Sequence, residues 1–148
     1  MRGLLLIGIL MLIVAACGGG SIPKTPEEAL ENRARGFYGA FSDGNWLRAH
    51  KYLSPRSREL CSSGQFALTM GAAATLLKSF MGGDENTDLS FELTGVAVDG
   101  DVGAVDGTLR LGGEIVDLGE EDAEESWIFL DGEWWAEDSD WEEGCDLG

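Results

Sequence analysis

Apolar residues follow three patterns along this chain. From Leu4 to Cys17 they form one unbroken run, from Leu30 to Met81 they recur at helical spacing, and from Leu89 to Ala136 they alternate with polar neighbours. The first run follows the single charge of Arg2 and ends in small residues before Gly18-Gly19-Gly20-Ser21, the layout of a secretory signal. It stops well short of the about 20 apolar residues that a spanning helix needs. Residues 17–24 (CGGGSIPK) then read as a short flexible tether.

The helical stretch opens at Thr25-Pro26-Glu27-Glu28. Thr25 can cap, Pro26 suits the first helical position, and Glu28 completes a capping box while favouring the positive helix start. Leu30, Ala34, Phe37, Tyr38 and Phe41 form one apolar stripe, which Ser42-Asp43-Gly44 ends. Asn45 caps a second, short helix whose Trp46, Ala49, His50 and Leu53 share a face. Ser54-Pro55 starts another turn or two through Leu60 and Cys61 by the same logic. A longer helix is predicted from about Gln65 to Met81, with Phe66, Met70, Ala73, Leu77 and Phe80 as its buried stripe, widened by Leu76 and Met81. Gly82-Gly83 stops it, and its small segment Gly71–Ala74 lets something bulky approach.

From Thr87 the period becomes two. Leu89, Phe91 and Leu93 alternate, and after Gly95 the apolar phase moves to Val96 and Val98, which predicts a bulge. A second slip is predicted in the next strand, between Val102/Ala104 and Val105/Leu109/Leu111, and two slips imply a strongly curved sheet. Asp99-Gly100 signals a hairpin turn, and Gly112-Gly113 breaks or kinks the chain before a strand over Glu114–Leu118. Gly119–Glu125 reads as a charged loop. In the last hairpin a two-residue Asp131-Gly132 turn sets Leu130 opposite Glu133 and Phe129 opposite Trp134. Trp127, Phe129, Trp134 and Ala136 then share one face, with Ile128, Leu130 and Trp135 on the other. Both faces are apolar, so both are expected to be covered.

Composition narrows the function classes. The 132 residues after position 16 suit one domain, residues 25–148, and a 44% hydrophobic content supports a packed core. The net charge of −17 is segregated: residues 1–83 hold nine bases and five acids, whereas residues 84–148 hold 22 acids and only Arg110 as a base. A domain of this kind does not bind nucleic acid, which needs clustered Lys and Arg. Anionic lipid headgroups repel it as well, so an acyl anchor must hold it at a membrane. Of the three cysteines, Cys61 and Cys145 are the pair left if Cys17 is modified. In an oxidising compartment they form a disulfide or remain as two free thiols.

The segment Val14-Ala15-Ala16-Cys17 resembles the lipobox of bacterial lipoproteins. That resemblance implies a signal peptide over residues 1–16, cleavage before Cys17, lipidation of its thiol, and a protein held on the extracytoplasmic side of the cell envelope. Residues Phe37–Phe41, Asp43-Gly44-Asn45-Trp46, Leu53-Ser54-Pro55 and the hairpin Trp127–Trp135, taken in order, resemble the NTF2-like (cystatin-like, SnoaL-like) superfamily over roughly residues 25–140. This second resemblance implies an α+β fold, a cone in which N-terminal helices pack on a curved antiparallel sheet. It also implies a pocket between the two layers and, often, a homodimer through the sheet.

Candidate chemistry is sparse. Phe37, Phe41, Trp46, Phe66, Trp127, Phe129 and Trp134, with His50, either line a pocket for a small apolar ligand or fill the core. His50 as a pocket base and Tyr38 as a hydroxyl donor are the acid–base candidates, and neither falls on a catalytic motif position of the superfamily. No Gly-x-Ser-x-Gly elbow, phosphate loop or zinc ligand set is present. Asp138-x-Asp140-x-Glu142 has calcium-loop spacing but Glu143 where glycine is needed, so no metal or cofactor is expected. The leading expectation is a membrane-anchored lipoprotein with a non-catalytic module that binds a ligand or an envelope protein. The alternatives are a small lipoprotein enzyme using His50, and an acidic adaptor docking a basic protein.

Overall fold

The computed structural model describes residues 25–116, 125–137 and Cys145. The predicted signal 1–16, Cys17 with its predicted tether, the end of the predicted strand at 117–118, the predicted charged loop from 119 to 124 and the calcium-spaced acids 138–143 lie outside the described residues. The fold is α+β, with helices first and an antiparallel sheet after them.

Helix α1 (Pro26–Ser42) begins as its capping signal demands, with Thr25 Oγ1 accepting from the Glu28 backbone N–H at 3.1 Å. It buries Leu30, Ala34, Phe37, Tyr38 and Ala40, chiefly against the first strand. Asn45 caps α2 (Trp46–Ala49), a single 3₁₀ turn follows over His50–Tyr52, and Ser54 caps α3 (Pro55–Leu60). Helix α4 (Ser63–Phe80) starts two residues before the predicted Gln65, because Ser62 and Gln65 form a full capping box. Trp46 is the bulky neighbour at its small segment, with the indole nitrogen 3.4 Å from where a Gly71 Cβ would stand.

The buried stripe predicted for α4 is only partly realised. Phe66 alone is buried, Met70 and Leu77 are half-buried, and Ala73 and Phe80 are exposed. Periodicity shows that an apolar face exists; whether another element covers it depends on tertiary neighbours, and among the described residues α4 packs chiefly on α2 and the 3₁₀ turn.

Strands β1 (Leu89–Asp99), β2 (Val102–Leu111), β4 (Glu125–Leu130) and β5 (Glu133–Ala136) lie in that spatial order, and the two-residue β3 (Glu114–Ile115) also pairs with β2. The bulge falls where Gly95 predicts it: Leu93 pairs with Gly107 and Gly95 with Asp106, leaving Thr94 unpaired. The second slip is absent, and β2 pairs without interruption from Val102 to Leu111. Its inward positions are Gly103, Val105, Gly107, Leu109 and Leu111, while Val102 is 58% exposed. Two of those positions are glycines because neighbours occupy the space. A Cβ on Gly103 would overlap Leu30 and stand 3.1 Å from the Trp134 ring, and one on Gly107 would overlap the Phe91 ring. An inward glycine carries no hydrophobic signal, which is why the pattern reads as a slip.

Gly112-Gly113 forms a tight two-residue loop between β2 and β3, a turn and not a kink. In the last hairpin Leu130 pairs with Glu133 and Phe129 with Trp134, as predicted. Asp131 and Gly132 both have positive φ (54° and 86°), the requirement of a type I′ turn. Trp127, Trp134 and Ala136 are buried, but Phe129 on the same face is 40% exposed. On the opposite face Trp135 is covered by two cations, the Arg33 and Arg58 guanidinium groups each lying 4.9 Å from an indole ring centre. Arg33 also donates to the Trp134 carbonyl at 3.0 Å and lies over Tyr52, so it ties α1 to the sheet edge. That edge is closed by Ser54, whose N–H donates to the Ala136 carbonyl at 2.9 Å. Cys61 and Cys145 are joined in a disulfide with their Cα atoms 5.5 Å apart.

Candidate functional site

Three groups of side chains carry the chemistry that the sequence singles out. The first is the aromatic set. Phe37 is fully buried and meets Phe41 at 4.8 Å and Trp127 at 5.7 Å between ring centres, the latter pair at 88°. Phe41 in turn meets Trp46 edge-on at 5.2 Å and Phe66 at 6.4 Å. These are the preferred geometries of packed aromatic pairs, and the rings rest on one another between helices and sheet. Trp134 is 3% exposed and meets Phe129 at 5.2 Å, with Phe129 outermost.

His50 forms the second. It is 8% exposed, its Nε2 lies 2.8 Å from the Cys61 carbonyl oxygen, and its ring stands edge-on to Phe66 at 5.5 Å. A carbonyl only accepts, so Nε2 carries the proton and donates. That bond ties the 3₁₀ turn to the residue that holds the disulfide.

The third group, Tyr38 and Glu125, is legible from the sequence only in part. Tyr38 is 7% exposed and stacks on Phe91 at 3.7 Å, and its hydroxyl donates to Glu125 Oε2. Burial first, then the adjacent Glu125 charge and its hydrogen bond, and finally Asp106, push the phenol well above the ordinary tyrosine range. The Trp127 indole N–H lies near enough to offset part of that shift, yet makes no hydrogen bond of ordinary geometry. Glu125 reads as the end of a charged loop, but it is two residues before the inward Trp127 and pairs with the inward Val105. Strand alternation carried back from Trp127 points to it. A phenol held protonated against a carboxylate is a buried donor–acceptor pair linking α1 to β4, and it makes a poor base.

The shift predicts an alkaline instability. The unfolded chain releases the tyrosine proton near pH 10 and the folded chain does not, so the stabilisation is complete below pH 10 and declines above it. The expected slope is about 1.4 kcal/mol per pH unit. Urea unfolding from pH 9 to 11.5 should show this decline, and Tyr38→Phe should flatten it. Equal slopes in both proteins would remove Tyr38 as its cause.

Among the described residues, no group of three or more His, Cys, Asp or Glu side chains could hold a metal ion, and no helix is long and apolar enough to cross a membrane. No protein-family model matches the chain, and no curated protein matches it. Among solved structures, it is similar to a SEC-C motif containing protein from Rhodopseudomonas palustris, determined in solution. The TM-score is 0.42 at 16% identity, over 77% of this chain and 76% of that one.

Proposed function

We propose that the protein is an exported lipoprotein, anchored through Cys17 on the extracytoplasmic side of a membrane, whose NTF2-like domain binds a partner and is not a catalyst. The observation that carries the reading is the segment Leu4–Cys17, an apolar run that ends in Val14-Ala15-Ala16-Cys17 and leads into a Gly-rich tether. The Cys61–Cys145 disulfide agrees with an oxidising compartment. The order of helices and then a bulged antiparallel sheet agrees with the NTF2-like cone.

Two features favour binding over catalysis. The His50 nitrogen nearest a partner is engaged by the Cys61 carbonyl, and the Tyr38 hydroxyl is engaged by Glu125, so both acid–base candidates serve structural bonds. The aromatic rings are packed on one another, which directs the search for binding to the outer surface.

The anchor is tested by intact-mass analysis of the protein extracted from its own membranes. The mature mass should begin at Cys17 and include acyl chains, and Cys17→Ser should lose both the acyl mass and membrane retention. Continued retention of Cys17→Ser with no acyl group would overturn the anchor.

A further inference from the structure

Helix α4 contrasts with the rest of the domain. In a chain with net charge −17, Lys78 is the only charged side chain among its 18 residues, and apolar residues lie on nearly every side of it. A helix of that composition is normally covered. Here Leu68 is 77% exposed, Leu76 70% and Phe80 87%, and Met81 just beyond the helix is 44% exposed. Side chains this large and this open, set along one helix, form an exposed apolar surface of the kind that serves as a contact site on soluble proteins.

The exposed residues are ordered. Leu68, Ala72, Leu76 and Phe80 are each four apart, so they form a single ridge along the helix. The ridge is also symmetric: a leucine stands four residues before Ala72 and another four after it. A twofold axis through Ala72 would place Leu68 of one copy beside Leu76 of the other, with the smallest side chain where the backbones cross. Ridges of residues four apart pack into one another at about −50° and 8–10 Å, and an alanine at the crossing allows the near end of that range.

We propose that this face is the interface of a homodimer in which two α4 helices cross at Ala72. Charge favours a second copy as the occupant. Two copies meeting sheet to sheet would oppose Glu92, Asp99 and Asp106, with Arg110, already paired with Glu92 at 2.9 Å, as the one base on the outward faces of β1 and β2. The α4 ridge presents no acid, and a dimer built on it keeps the sheets apart. Area sets how far the contact must extend. A stable interface buries about 800 Å² per partner, so the ridge alone is not enough and side chains flanking the crossing must join it. The inference concerns the folded domain and does not depend on the lipid anchor.

The test is disulfide trapping of the full chain in its own cells. Ala72 is exposed, and Cys61 and Cys145 are already joined. Ala72→Cys should therefore give a covalent dimer on a non-reducing gel after mild oxidation. Adding Leu76→Glu, which alters an exposed position and leaves the core intact, should reduce the dimer at least tenfold. Ala97→Cys, equally exposed on the outward sheet face, should give none. Dimer from Ala97→Cys but not Ala72→Cys would overturn the proposal in favour of a sheet interface. Trapping of Ala72→Cys onto a different protein, or no trapping at all, would overturn it in favour of another occupant. Intact mass of the same extracts reports acylation of Cys17 separately, so loss of the anchor and loss of the dimer are told apart.

Discussion

Trp127→Ala should destabilise the domain by about 4 kcal/mol, the upper part of the range for deleting a buried aromatic side chain. Trp127 is completely buried and its ring stands edge-on to Phe37. Its strand neighbours cannot fill the hole, because it pairs with Gly103 on one side and Ala136 on the other. Its indole N–H makes no hydrogen bond of ordinary geometry, so the loss is chiefly one of packing. Denaturant unfolding should show a lower midpoint with an unchanged slope. Phe129→Ala, on the same face but 40% exposed, should cost well under half as much. Equal losses at the two positions would mean that the core does not lie under Trp127.

Removal of the disulfide is the other large effect. Cys61 and Cys145 are 84 residues apart, and releasing a loop of that length costs roughly 4 kcal/mol in the chain-entropy model. Domains of this size are stable by about 5–15 kcal/mol, so Cys145→Ser should bring the fold close to its limit at 37 °C. The variant should unfold at a markedly lower denaturant concentration, and the wild type should behave the same way after reduction. Peptide mapping without reductant should recover Cys61 linked to Cys145. Free thiols at both positions, or a variant as stable as the wild type, would reject a structural role for the bridge.

How far these features are legible depends on the kind of signal each one leaves. Local chemistry is readable: Thr25 caps α1, Asp131-Gly132 sets the register of the last hairpin, and Gly95 marks the bulge, because each depends on the few residues beside it. Features that depend on distant neighbours are not. Gly103 and Gly107 face inward because Leu30, Trp134 and Phe91 already fill the space above them, and a residue without a side chain cannot announce which way it points. The apolar face of α4 is written plainly in its spacing, but nothing in that spacing says that it stays open. Glu125 is concealed among acids of its own kind, and only its alternation with Trp127 sets it apart. Of the candidate site, the aromatic residues and His50 are visible as types, and their engagement with one another and with the Cys61 carbonyl emerges only in three dimensions.

The long span of the disulfide also has a bearing on biosynthesis. A chain elongating at about 5–20 residues per second presents Cys61 roughly 4–17 s before Cys145 exists. During that interval the earlier thiol in the chain is Cys17, only 44 residues upstream. Loop closure favours the shorter pairing, so the first bridge open to the growing chain is the wrong one. The proposed acylation of the Cys17 sulfur would consume that competitor, and a lipid anchor would then also protect the oxidative folding of the domain.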